Sequence, residues 1–144
     1  MGSKVIMANF LSMYKSLNRD NLHILKTVYT EDVRFIDPAH EINGLEHLTN
    51  YFSALYQNLD SIDFSFHHSS MIKNKGYVQW DMNFSHGKLA GGRTISVPGV
   101  TFLQFNDDNK VFYHRDYFDL GAMLYEHIPL LGRLVISIKK RLGK

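Results

Sequence analysis

Apolar positions recur at helical spacing near the start of the chain, at Ile6, Phe10, Met13, Tyr14 and Leu17, until the polar run Asn18-Arg19-Asp20-Asn21 interrupts them. Leu22, Leu25, Val28 and Tyr29 resume the period and predict a second helix after a short break. The stretch VRFID at 33–37 has strand composition and stops at Pro38, whose ring disfavours helix at Asp37 and leaves no N–H for a ladder. Beyond the loop PAHEIN, Leu45, Leu48, Phe52, Leu55 and Leu59 trace one stripe of a third helix, flanked by Tyr51 and Tyr56.

From Ile62 onward the period becomes two. IDFSFHHSSMIK, a turn at Asn74-Lys75-Gly76 and YVQWDMNFSHGKL read as a long hairpin. The connection AGGR leads to TISVPGVTFLQF, and the turn NDDN leads to KVFYHRDYFD, which adds two more strands. Pro98-Gly99 inside the third strand predicts a bulge or a sharp bend. Helices followed by long antiparallel strands make an α+β pattern, with helices on one side of a sheet.

The tail is the most apolar part of the chain. Leu130, Leu131, Leu134, Val135, Ile138 and Leu142 form one face of a helix beginning near Pro129, with Arg133, Ser137, Lys140 and Arg141 on the other. It is too short and too charged to span a bilayer. Three roles fit residues 129–144: covering the domain's own core, packing against a protein partner, or lying on a membrane surface.

Composition narrows the picture. A chain of 144 residues, 44% hydrophobic and 21% charged, is long enough for a real core and is no disordered or fibrous polymer. No cysteine is present, so there is no disulfide framework, thiolate zinc site or cysteine nucleophile, in keeping with a reducing compartment. The first residues lack a long apolar run followed by a small-residue cleavage site, so a cytoplasmic location is the expectation. A net charge of +2 with the signs interspersed gives no electrostatic case for nucleic acid. The exception, Lys139, Lys140, Arg141 and Lys144, suits the negative end of a helix dipole.

The stretch LNRDNLHILKTVYTEDVRFIDPAHEINGLEHLTNYFSAL, residues 17–55, resembles the front half of the nuclear transport factor 2-like superfamily, and GVTFLQFNDDNKVFYHRDYFD, residues 99–119, resembles its last two strands. The resemblance covers most of residues 5–120 and is one of element order and positions. It implies a cone-shaped α+β roll: a strongly curved, mainly antiparallel sheet wrapped around N-terminal helices, enclosing a pocket for a small hydrophobic ligand, and often paired into a homodimer through the sheet's outer face. The expected organisation is therefore one SnoaL-like domain over 1–144, with a core roll at 5–120 and a C-terminal amphipathic extension at 120–142.

The superfamily holds ketosteroid isomerase, SnoaL-like polyketide cyclases, limonene-epoxide hydrolase, scytalone dehydratase and many non-enzymatic members, so the fold leaves function open. By resemblance Asp37 takes the place of the isomerase's general base. The isomerase's oxyanion-hole positions correspond to Met13, with Tyr14 one residue off, and Thr101, which argues against steroid isomerisation. The pocket-facing phase of the last strand corresponds to His114, Asp116 and Phe118, and Asp116 matches the acid/base aspartate of the cyclases. Alternation turns Tyr113, Arg115 and Tyr117 the other way.

The residues permit acid/base chemistry without a cofactor, as isomerisation, cyclisation, dehydration or hydrolysis of a small hydrophobic or cyclic ligand, and equally a non-catalytic binding or scaffolding module. Asp37, Asp116 and His114 could line one apolar cavity with Trp80, Met82, Phe84 and Phe118, and such surroundings suit a carboxylate to general acid or base work without a metal. Each has a plainer explanation. An aspartate beside Arg34 or Arg93 is a structural ion pair, and Asp37 before a proline can hold its turn through local backbone bonds. His86 shares a strand face with Trp80, Met82 and Phe84 and is expected at the pocket rim. Trp80, Tyr14 and Tyr51 read as core or as ligand wall. No His-x-His or HExxH spacing supports a metal site, adjacent His67 and His68 should face opposite sides of a sheet, and no phosphate loop is present.

Overall fold

The computed structural model describes residues 2–143; Met1 and the tail cation Lys144 lie outside them. The first apolar stripe folds into helix α1 (Ser3–Ser16), which buries Met7, Phe10 and Met13. The second stripe does not make an α-helix. Leu22–Thr27 is a six-residue 3-10 turn, and strand β1 begins at once and runs Tyr29–Ile36, four residues ahead of the expected start. Tertiary pairing overrides the local period here: the Val111 N–H donates to the Val28 carbonyl (2.7 Å), and the Tyr29 side chain is fully buried.

The loop expected at PAHEIN contains a short strand β2 (Glu41–Asn43) that folds back on β1, with Ile42 opposite Phe35. Helix α2 (Leu45–Asn58) then lays Leu48 and Phe52 into the core. The hairpin forms from β3 (Ser61–Ile72) and β4 (Lys75–Ser85), with its turn at Lys73-Asn74, one residue earlier than the sequence suggests. Strands β5 (Ile95–Phe105) and β6 (Val111–Phe118) complete a six-stranded sheet of order β2-β1-β6-β5-β4-β3. Only β1 and β6 run parallel; the remaining neighbours are antiparallel. The architecture is thus the expected α+β arrangement, a mixed, curved and unclosed sheet with helices against it.

Pro98-Gly99 does not break the sheet. The register runs on through Asp81 opposite Pro98 and Trp80 opposite Gly99, and the irregularities lie at His67 in β3, between Tyr29 and Arg34 where β1 pairs with β6, and at Phe112 of β6 opposite the end of β5. The extra residue at His67 offsets the strict alternation expected for it and His68, and both are exposed. Gly99 answers a different need: a Cβ there would collide with the six-membered ring of Trp80, the residue opposite it on β4.

The main core joins α1, α2 and the inner face of the sheet around Leu25, Val33, Leu48, Leu103 and Val111; a smaller cluster gathers Phe84, Ile95 and Val97. After β6 come a one-turn helix α3 (Leu120–Met123), a 3-10 turn (Tyr125–His127) and helix α4 (Leu131–Leu142). No residue of α4 belongs to either apolar cluster, so this helix does not cover the domain's own core. Among the described residues no helix is long and apolar enough to cross a membrane.

Candidate functional site

Alternation along β4 sends Val78, Trp80, Met82 and Phe84 to the concave face of the sheet, and the same alternation along β6 sends His114, Asp116 and Phe118 there. With Phe10 and Tyr14 of α1, Tyr51, Phe52 and Leu55 of α2, and Phe64 and Phe66 of β3, they enclose a cavity of about 360 Å³. The wall is overwhelmingly apolar, and among the described residues no arginine or lysine contributes to it. Of the sequence-selected residues, Asp37, Asp116, His114, Tyr14, Tyr51, Trp80, Phe84, Thr101 and Phe118 all line this one space.

His86 does not. β4 ends at Ser85, and the turn that follows draws the His86 ring back onto its own backbone, where Nδ1 accepts the Lys88 N–H (3.0 Å). The first-helix position is also shifted from the expectation. Met13 is buried in the core, whereas Tyr14 reaches the cavity wall, so the phenol that the resemblance placed one residue off is present after all.

Asp116 stands at the end of a directed chain of hydrogen bonds. The Trp80 Nε1–H can only donate, and it donates to Thr101 Oγ1 (2.7 Å); the single Thr101 hydroxyl proton is therefore left to donate to Asp116 Oδ1 (2.5 Å). From the other side His114 Nε2 meets the same Oδ1 at 2.8 Å, and His114 Nδ1 meets the Tyr29 hydroxyl at 2.8 Å. With Nε2 protonated toward the carboxylate, neutral imidazole accepts from Tyr29, and Tyr29 in turn accepts from Tyr14 (2.5 Å). Every donor in the chain thus points toward Oδ1, while Oδ2 takes no hydrogen bond from the described residues. Among the described residues no arginine or lysine clamps the carboxylate: Arg34 pairs with Glu41 instead (2.7 Å), and Arg93 does not reach the cavity.

Both nitrogens of His114 are occupied and its ring is wedged against Phe35, with centroids 4.4 Å apart. It orients Asp116 and has no nitrogen free for a ligand. Burial holds the Tyr14 and Tyr29 phenols well above the ordinary tyrosine range, and the Asp116 charge pushes both further the same way. These hydroxyls therefore remain neutral donors.

Asp37 is built differently. Its Oδ1 accepts the backbone N–H groups of Ala39 (2.8 Å) and His40 (2.7 Å), and its Oδ2 accepts the Tyr51 hydroxyl (2.9 Å). Both oxygens are engaged in holding the turn after β1 and fastening it to α2, as the plainer sequence reading allowed. Burial, and next the Asp37 charge, raise the Tyr51 phenol far above its usual range.

Sequence reasoning missed Tyr29 and His40. Tyr29 shares the odd-numbered phase of Val33, Phe35 and Asp37, all turned inward, but exposed Glu31 interrupts that alternation and the helical period of the preceding leucines masks it. His40 lies in the turn, its ring 4.9 Å from that of Tyr51; no local spacing announces it.

A family model of the SnoaL-like domain matches residues 10–114. Among solved structures, a candidate SnoaL-like polyketide cyclase from Jannaschia sp. CCS1 is 17% identical, with a TM-score of 0.73 over 87% of this chain and 92% of that one. A protein with a ketosteroid isomerase-like fold from Catenulispora acidiphila DSM 44928, crystallised with trimethylamine, is 14% identical, with a TM-score of 0.72 over 86% of this chain and 93% of that one. At these identities the likeness is one of fold. The uncharacterised ATP-dependent helicase MG018 of Mycoplasma genitalium is 23% identical over 113 residues, 74% of this chain, and the chain spans 11% of that protein's length.

Proposed function

Because the chain belongs to the SnoaL-like domain family, we propose that its cavity binds a small hydrophobic or cyclic molecule and that Asp116 moves a proton on it without a cofactor. The observation that carries this is the two-sided environment of Asp116. One oxygen is fixed by Thr101 and His114, and the other is offered to an apolar space with no cation to neutralise it. A base needs that combination of a rigid mount and a free lone pair at the place where a C–H or O–H of the ligand would sit.

The roles follow from the bonds. Asp116 takes the proton and returns it at a second position; His114, Thr101 and, through Thr101, Trp80 hold the carboxylate in place. Phe84, Phe118 and Tyr51 supply ligand wall, and Tyr14 can turn its neutral hydroxyl toward a ligand oxygen that gains charge. Asp37 braces the cavity edge. Isomerisation and cyclisation are the reaction classes that such an arrangement serves, and the Jannaschia protein, a candidate polyketide cyclase, lends weight to the second.

Native mass spectrometry of freshly purified protein identifies a retained small molecule, whose deuterium uptake and conversion in D2O are then followed with the wild type and with Asp116→Asn. The variant is expected to keep binding and to lose the rate by about 10²- to 10⁴-fold. Equal rates in both proteins would overturn the assignment. A molecule bound by both and altered by neither would make the domain a binding module, the rival reading that the same apolar wall supports.

A further inference from the structure

Helix α4 is attached to the domain by the wrong side for an ordinary amphipathic helix. Its contacts run through Gly132, which presses on the backbone of Glu126, and through Lys139, whose ammonium binds Asp119 and Glu126. Ile136 lines a shallow space beside Lys88, Ala90 and Arg93, but the leucines and Ile138 point elsewhere. At 3.6 residues per turn Leu131, Leu134, Ile138 and Leu142 fall within about a quarter of the helix circumference, and they are 39%, 58%, 56% and 90% exposed. Leu130, just before the helix, is 80% exposed and extends the same row.

Charge identifies what can cover that row. No acidic residue follows Glu126, whereas Arg133, Lys140 and Arg141 lie beside or behind the leucines and Lys139 is already spent on the body of the domain. A second copy of this helix would bring cations against cations, so self-pairing through α4 is electrostatically opposed. An uncharged apolar partner would leave the arginine and lysines without a role. A surface that is apolar below and anionic at its rim satisfies both at once, with the long basic side chains reaching up to head groups while the leucines sink among acyl chains. Twelve residues are too short to span a bilayer and suited to lie in its plane.

We propose that α4 docks the domain reversibly onto an anionic lipid surface, with Leu130, Leu131, Leu134, Ile138 and Leu142 as the inserted row and Arg133, Lys140 and Arg141 as its head-group contacts. The inference is independent of any chemistry in the cavity.

Flotation of the full chain with phosphatidylcholine vesicles, alone or mixed with phosphatidylserine, tests it. Wild type is expected to float with the mixed vesicles only and to be released by salt. Leu134→Ser/Ile138→Ser and Arg133→Gln/Lys140→Gln/Arg141→Gln should each lower the bound fraction by about tenfold, since both halves of the contact are needed. These positions are exposed, so melting temperatures should match wild type. Because the chain has no cysteine, a dye on Ile138→Cys reports insertion in an otherwise native protein, with a blue shift expected on mixed vesicles. Wild type that stays in solution with mixed vesicles, or variants that bind as well as wild type, would overturn the proposal. A Leu134→Ser/Ile138→Ser variant that merely splits a dimer, with no vesicle binding by wild type, would overturn it in favour of a second copy.

Discussion

The Thr101 hydroxyl accepts from the indole of Trp80 and gives its one proton to Asp116, so its loss leaves the buried indole N–H without a partner and Asp116 Oδ1 with His114 alone. Thr101→Val keeps the shape and removes both bonds. It should cost about 1–3 kcal/mol, seen as a lower denaturant midpoint at unchanged slope, with Thr101→Ser close to wild type. An unchanged midpoint in Thr101→Val would mean that Trp80 and Asp116 find other partners. The same indole depends on a residue that has no side chain. Gly99→Ala drives a methyl into the Trp80 ring, which must tilt into the cavity or push the strand away. Overpacking of this kind costs about 1–3 kcal/mol, and because Trp80 is the only tryptophan, its emission should shift with it. Native-like emission and stability in Gly99→Ala would show that the ring has room to spare.

At the scale of elements, the strands that carry the site were legible and the parts that brace it were not. Along β4 and β6 the period of two is unbroken through Trp80, Met82 and Phe84 and through His114, Asp116 and Phe118, so alternation alone puts these residues on one face. The segment before β1 misleads because its leucines keep a helical period that only the long-range pairing with β6 overrules. His86 misleads for the opposite reason, since alternation cannot tell where a strand ends. What α4 packs against was equally hidden: its sequence displays two faces, and the docked side is set by Asp119 and Glu126, residues outside the helix. The hydrogen bond from Lys139 holds the Asp119 carboxyl below the ordinary carboxylate range. A depressed folded pKa means that this contribution is present above the ordinary carboxylate pKa and is lost as pH falls through the folded value. Acid should therefore loosen α4 before the sheet, salt should act the same way on so exposed a pair, and Lys139→Met should do so at neutral pH. Hydrogen exchange read by mass spectrometry would show faster exchange over 131–142 with β4–β6 still protected. Unchanged protection of α4 in Lys139→Met would place its anchoring elsewhere.

For the molecule as a whole, cavity and core are one structure. Phe10, Phe35, Phe52, Val78 and Trp80 belong both to the main apolar cluster and to the cavity wall, so the space stays open only because the residues around it are held by other bonds. The Tyr14–Tyr29–His114 chain is one of those braces, spanning α1, β1 and β6. Its phenols give it a signature in the pH dependence of folding. Both lie above the ordinary tyrosine value in the folded state, chiefly through burial. In the unfolded chain they lose their protons near pH 10, whereas the fold keeps them protonated. Their stabilisation is therefore complete below about pH 10 and drains away above it, by up to ~1.4 kcal/mol per pH unit for each phenol that only the unfolded chain ionises. Tyr14→Phe/Tyr29→Phe removes both titrating groups. The double variant should be less stable than wild type at neutral pH, because His114 Nδ1 loses its partner, yet its stability should fall less steeply with alkali. Urea unfolding followed from about pH 8 to pH 11 separates the two effects. Parallel slopes for the two proteins would mean that these phenols ionise within the folded state, and the brace would then not be the dry, directed chain that its hydrogen bonds describe.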